Sequence, residues 1–169
     1  MNLIASIDEN WGIGYLNQLL FDIPGDKQYF KSMTLHHIVV MGKNTLLSLP
    51  NSRSLPQRTN IVISKNLTAV EDALICNSVE QLWTLVDKFP KESIYVIGGS
   101  SIYQQLLPYC ESAYITKFYT VKIADRYLTS LDKEYNWELV YESELQKEND
   151  LEYRFLKYRN NRVQEPPLQ

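Results

Sequence analysis

Four short stretches of the chain carry side chains able to bind or transform a ligand. In Phe21-Asp22-Ile23-Pro24-Gly25-Asp26-Lys27-Gln28-Tyr29-Phe30, Asp26 stands at the start of an expected helix among apolar neighbours. A carboxylate there has two readings. It caps the helix, a role worth about 1 kcal/mol, or it binds a cationic or amidine-like ring edge by charge-assisted hydrogen bonds. Asp22, just ahead of Ile23-Pro24, reads as a turn residue. The second stretch, Ile38-Val39-Val40-Met41-Gly42-Lys43-Asn44-Thr45, runs a buried strand into glycine and then a short helix. Backbone N–H groups at such a start attract phosphate, and Lys43 and Thr45 add a charge and a hydroxyl. The third, Ile94-Tyr95-Val96-Ile97-Gly98-Gly99-Ser100-Ser101-Ile102-Tyr103, has paired glycines that let a pyrophosphate approach the backbone. It is not the GxGxxG dinucleotide fingerprint. The fourth, Ile61-Val62-Ile63-Ser64-Lys65-Asn66, follows a strand with a hydroxyl and a cation, which suits a 2′-phosphate better than a free ribose hydroxyl. Taken singly, an ordinary βα turn, a tight turn and a polar loop account equally well for the last three.

Other chemistries lack their residues. The sequence holds no GxSxG elbow, no HExxH and no complete P-loop. His36-His37 is the only histidine cluster, and adjacent side chains diverge, so a surface loop is expected there and no metal site. Cys76 and Cys110 stand apart and read as two buried, reduced thiols. The 12 tyrosines are scattered, not laddered for stacking bases. A net charge of −3 gives no reason to expect nucleic-acid binding.

These residues need a frame. The 169 residues suit one domain, and a chain of that length buries about 70% of its unfolded surface without staples. Apolar, β-branched runs predict strands at 3–7, 38–41, 60–64, 74–76, 94–97 and 112–117. Unbroken apolar strands imply a sheet covered on both faces. Helices are expected between them. Ser78 and Gln81 form a capping-box pair ahead of the Val79, Leu82, Trp83, Val86 stripe. Residues 26–33 place Tyr29, Phe30 and Met33 on one side, and 43–49 and 101–107 each stop at a proline. Residues 137–145 and 152–159 read as two strands joined by a polar turn at 146–151, hence antiparallel. The expected fold class is therefore α/β, a mostly parallel central sheet with an antiparallel C-terminal hairpin and flanking helices. The domain is expected to span 1–159, and 160–169, with Pro166-Pro167, to be a polar tail that frays. The apolar runs are too short to cross a bilayer. The opening Met1-Asn2-Leu3-Ile4-Ala5-Ser6 lacks the pattern of a secretion signal, so a cytoplasmic location is expected.

The ordered set of pieces resembles bacterial dihydrofolate reductase over nearly the whole chain. The matching pieces are Leu3-Ile4-Ala5-Ser6, Asn10-Trp11-Gly12-Ile13-Gly14, Ile23-Pro24-Gly25-Asp26, Phe30-Lys31, Val40-Met41-Gly42-Lys43-Asn44-Thr45, Leu55-Pro56-Gln57-Arg58-Thr59-Asn60 and Val96-Ile97-Gly98-Gly99-Ser100-Ser101-Ile102-Tyr103. The resemblance implies reduction of 7,8-dihydrofolate to tetrahydrofolate by NADPH, in support of one-carbon metabolism. Hydride would pass to pterin C6, and N5 would be protonated through water. It implies Asp26 as the pterin-pocket carboxylate and Thr116 as its supporting hydroxyl. Ile4, Ala5, Phe21, Lys27, Phe30, Leu49, Leu55 and Ile97 would line the substrate side, and Arg58 would grip the glutamate tail. Ala5, Ile13, Gly14, Gly42, Lys43, Asn44, Thr45, Ser64, Lys65, Gly98, Gly99, Ser100, Ser101, Ile102 and Tyr103 would line the cofactor. In the family the two matching glycines are joined by a cis peptide, and the segment matching 9–21 is a mobile loop that closes over the nicotinamide. Dihydrofolate and antifolate-type molecules are the implied partners, and a monomer suffices, since the site needs one chain.

The chain departs from the family pattern in four places. Leu20-Phe21 replaces Pro-Trp, which removes an indole N–H. Lys27 stands where an apolar residue is usual, Ala124-Asp125 replaces Gly-Asp, and the stretch between Ser48 and Pro56 is one residue longer than in some members. Two other readings stay open. One is a pteridine- or pyrimidine-reducing relative on the same fold, such as the reductase domain of riboflavin biosynthesis. The other is a nucleotide-binding module without catalysis, which would bind NADPH but not turn over dihydrofolate.

Overall fold

A computed structural model describes residues 1–167. In chain order the strands are β1 (Asn2–Ile7), β2 (Gly12–Tyr15), β3 (Gln18–Leu19), β4 (Ile38–Gly42), β5 (Thr59–Ile63), β6 (Ala73–Cys76), β7 (Ile94–Gly98), β8 (Ser112–Phe118), β9 (Arg126–Tyr127), β10 (Trp137–Glu142), β11 (Gln146–Glu148) and β12 (Leu151–Asn160). The α-helices are α1 (Pro24–Thr34), α2 (Lys43–Ser48), α3 (Val79–Val86) and α4 (Ser100–Leu106).

The main sheet runs β10-β12-β8-β1-β7-β4-β5-β6, with β11 also on β12. Pairing is parallel from β8 through β6 and antiparallel wherever β12 takes part. Strand residues alternate between two buried layers, as a pleated backbone requires. Leu3, Ile7, Val40, Ile61 and Val96 point to one face, where Leu82, Trp83 and Val86 of α3 and Ile102, Tyr103 and Leu106 of α4 cover them. Ile4, Val39, Met41, Val62 and Ile97 point to the other, against Tyr29, Phe30 and Met33 of α1 and Leu46 of α2. The expected α/β class and its two covered faces are therefore present. One arm of the expected capping box forms, with Gln81 N–H donating to Ser78 Oγ, while the Gln81 side chain accepts from the N–H of Asn77, one residue ahead of the cap. Cys76 and Cys110 are both buried and unpaired, and burial pushes their thiols up to about 11 and about 12.

Three segments differ from the sequence reading. The strand expected over 137–145 stops at Glu142, and the expected polar turn contains β11. Only Asn149 and Asp150 make the turn, both with positive φ (50° and 60°), as tight hairpins of this type require. Gln146-Lys147-Glu148 is polar because it is a sheet edge, where charge discourages further pairing. Residues 9–21, read as one loop, contain β2 and β3, which join β9 in a second, three-stranded sheet. Beyond Asn160 the chain does not fray at once. Gln164 N–H donates to the Pro108 carbonyl, and Lys91 pairs with Glu165 at 3.2 Å. The last two residues of the expected tail, 168 and 169, lie outside the described residues.

Candidate active site

The parallel strands β4, β5 and β7 deliver the ends of their chains to one edge, the position at which open α/β sheets bind ligands. A cavity of about 670 Å³ opens there. Ala5, Ile13, Gly14, Gly42, Lys43, Asn44, Thr45, Ser64, Gly98, Gly99, Ser100, Ser101, Ile102 and Tyr103 all line it, as does Ile97. Of the expected cofactor residues, Lys65 alone is absent from the lining. It is exposed, with Glu80 in its electrostatic reach.

The floor of the cavity is built from glycines for a steric reason. A Cβ at Gly42 would come within 3.0 Å of Ile102 Cγ1. One at Gly98, where φ is +119°, would come within 3.3 Å of Thr45 Oγ1 and the Tyr103 ring. The peptide between Gly98 and Gly99 is cis. Gly42 and Gly99 are the N-caps of α2 and α4, and neither helix start is capped by a side chain. Glycine-lined backbone, the hydroxyls of Thr45, Ser64, Ser100 and Ser101, and the cations Lys43 and Arg126 form a donor set that fits a phosphorylated dinucleotide. Tyr103 is spoken for on the protein side: its hydroxyl donates to the Ile4 carbonyl at 2.7 Å.

Asp26 lies in the first turn of α1, but the N-cap is Ile23 and Asp26 does not cap. Its Oδ2 accepts from Ser6 Oγ at 2.6 Å. Ser6 also lines the cavity, so this bond ties the carboxylate to it. Burial raises the carboxyl pKa, and hydrogen bonds from Ser6 and Thr116 oppose the rise. Ser6 and Thr116 are direct partners across the β1–β8 pairing, so both hydroxyls lie on one face of the sheet, with Ser6 in direct hydrogen-bond contact with the carboxyl. Ile4, Phe30, Leu49, Leu55 and Ile97 belong to a single apolar cluster between the sheet and α1. At its far end Arg58 is half-buried. Its Nε donates to Thr34 Oγ1 at 3.1 Å and its Nη1 to the Pro56 carbonyl at 2.7 Å.

Two expected substrate residues sit elsewhere. Phe21 is buried in a third cluster, stacked on Phe118 with centroids 3.9 Å apart and with Lys122 Nζ over its ring. Lys27 is exposed and pairs with Asp22. The segment carrying β2 and β3 is tied to the stretch before β9. Lys122 N–H donates to Asp8 Oδ2 at 3.0 Å, Lys122 Nζ donates to the Leu20 carbonyl at 2.7 Å, and Leu16 N–H donates to Asp125 Oδ2 at 3.1 Å.

The family model described as dihydrofolate reductase matches residues 1–160. The chain belongs to that family. It is 35% identical over 163 residues to a dihydrofolate reductase of Bacillus subtilis, covering 94% of this chain and 93% of that protein. It is 33% identical over 151 residues to dihydrofolate reductase type 9 of Escherichia coli, covering 84% and 82%. A solved dihydrofolate reductase of Enterococcus faecalis, complexed with NADP(H) and RAB-propyl, superposes with a TM-score of 0.82. It is 30% identical, with 95% of both chains covered.

The sequence reading missed Ser6, Glu148 and Arg126. Ser6 had a signal, a lone hydroxyl inside the apolar strand Leu3-Ile4-Ala5-Ser6-Ile7, which needs a partner once buried. Glu148 had none. Its Oε2 accepts from Gly25 N–H at 3.1 Å and from the Tyr153 hydroxyl at 3.2 Å, so it supplies the cap that Ile23 cannot.

Proposed function

We propose that the protein reduces 7,8-dihydrofolate to 5,6,7,8-tetrahydrofolate with NADPH and so serves one-carbon metabolism. The observation that carries this reading is the Asp26 carboxylate, held by Ser6 beside a glycine-lined cavity. Family membership supports the same reading. Gly42, Lys43, Asn44 and Thr45, with Ser64 and Lys65 and with Gly98 through Tyr103, hold the dinucleotide. Ile13 and Gly14 close on it from β2. When bound, NADPH supplies the hydride that reduces the pterin at C6.

The chain's own residues align, desolvate and polarise. Asp26 accepts from the pterin amino group and the adjacent ring N–H, a bidentate, charge-assisted pairing that fixes the ring's orientation. Its negative charge favours the N5-protonated substrate, to which a water delivers the proton. Ile4, Ala5, Phe30, Leu49, Leu55 and Ile97 exclude other water from the ring and the aminobenzoyl group. Arg58 has two of its five N–H groups committed to Thr34 and Pro56, which leaves three for the substrate's α-carboxylate. One chain supplies all of these residues, so a monomer suffices for the proposed site. A cytoplasmic location belongs to the same reading, as does the division into a domain over 1–159 and a tail.

The test is loss of nicotinamide absorbance when purified protein meets NADPH and dihydrofolate, with Asp26→Asn and NADH in parallel. Rapid loss that needs Asp26 and prefers NADPH is expected. NADPH binding without oxidation would turn the search to another heterocycle or to a binding-only role.

A further inference from the structure

We propose that Ser6 is a positioning residue for Asp26: with Thr116, its hydroxyl sets the plane of the carboxylate and leaves the remaining acceptor sites to the substrate. The inference rests on the dihydrofolate reading above. After Asn2, β1 is apolar apart from Ser6, and its pleat places Ser6 on the same face as Ile4, toward α1. The hydroxyl meets Asp26 Oδ2 at 2.6 Å, within the range of an O–H donor on an ionised oxygen. Thr116, its register partner on β8, adds the second hydroxyl.

A carboxylate has about four acceptor sites. A pterin edge with two parallel donors takes two, and the hydroxyls take the others. The pair of strands therefore presents the carboxylate already oriented, before any ligand arrives, so little reorganisation accompanies binding. The titratable groups that face Asp26 are Tyr29 of α1 and Tyr153 of β12, with Glu148 of β11 behind Tyr153. None of these brings a positive charge. Lys27, next in sequence, pairs with Asp22 instead. Against burial, the two hydroxyls are what favours the charged form.

The test compares wild type, Ser6→Ala and Ser6→Thr by 13C NMR titration of the Asp26 carboxyl, with steady-state kinetics for dihydrofolate and fluorescence titration of NADPH. In Ser6→Ala the carboxyl midpoint is expected to rise by about one unit, since a hydrogen bond to a charged group has been lost. KM for dihydrofolate is expected to rise roughly tenfold. Ser6→Thr keeps a hydroxyl and is expected to restore both. An unmoved midpoint in Ser6→Ala overturns the proposal. So does NADPH binding that weakens more than dihydrofolate binding, since Ser6 would then serve the cofactor cavity. If wild type itself fails to oxidise NADPH with dihydrofolate, the functional reading falls, and the NMR midpoint still decides the coupling of Ser6 to Asp26.

Discussion

Replacing Glu148 should loosen the helix that carries Asp26, although the two residues are far apart in sequence. Helix α1 begins at Pro24 with Ile23 as N-cap, and an isoleucine side chain has nothing to accept from the first N–H groups. Glu148 Oε2 takes that place, accepting from Gly25 N–H at 3.1 Å and from Tyr153 Oη at 3.2 Å. Its negative charge also stands at the positive end of the helix dipole. Losing a cap costs about 1 kcal/mol, and releasing the Tyr153 hydroxyl adds about 0.5 kcal/mol. For a protein of this size each kcal/mol moves Tm by about 2–4 °C. Glu148→Ala should therefore lower Tm by about 3–6 °C in thermal unfolding followed by circular dichroism at pH 7. Glu148→Gln keeps an acceptor oxygen and should lose less than half of that. Because Asp26 lies in the same first turn, KM for dihydrofolate should rise in Glu148→Ala with kcat little changed. A Tm within 1 °C of wild type in Glu148→Ala, measured to about that precision, would refute the capping argument.

Further outcomes follow from the site. Burial raises the Asp26 carboxyl in the folded protein above its value of 3.8, so the folded state holds that proton more tightly than the unfolded chain does. Stability is then lost as pH climbs from 3.8 through the raised folded value. Asp26→Asn removes the loss: its Tm at pH 8 should exceed wild type, the gap closing near pH 3.8, and a lower Tm at pH 8 would contradict this. Arg58→Lys cannot hold Thr34, the Pro56 carbonyl and a carboxylate with one planar fork. KM for dihydrofolate should rise roughly tenfold with kcat within about twofold, whereas a fall in kcat alone would place Arg58 in the reacting geometry. Gly98→Ala puts a Cβ at φ +119° and 3.3 Å from Thr45 Oγ1 and Tyr103. NADPH affinity should fall at least about tenfold by fluorescence titration, and unchanged affinity would remove that turn from the cofactor site.

The central strands were legible because burial on both faces writes unbroken β-branched runs, as in Ile38-Val39-Val40-Met41 and Ile94-Tyr95-Val96-Ile97. Helix α3 was legible from its stripe and its capping box. The small sheet was not. Its strands are two to four residues long, and the turn between β2 and β3 is made by Leu16 and Asn17, both at positive φ (47° and 58°). Leucine carries no turn signal. β11 was hidden by the polarity that suits an edge. Within the site, the glycine turns read singly as ordinary loops, and it was their shared order that pointed to a family. Ser6 escaped because a hydroxyl's partner is set by tertiary structure, here a carboxylate 20 residues away across the β1–α1 crossing.

The order of strands also sets a timetable. β1 is made before β7 and β8, yet it lies in mid-sheet between them, with Asn2 beside Tyr95 on one side and Ser112 on the other. A ribosome adding about 5–20 residues per second needs roughly 6–22 s to pass from the end of β1 to the end of β8. Until β7 is made this apolar strand has two open edges, and until β8 follows it keeps one and the Ser6 hydroxyl lacks Thr116 beside it. Newborn chains of this protein should thus lean on holding factors early and gain ligand protection late, in one step, once β7 and β8 close around the N-terminus.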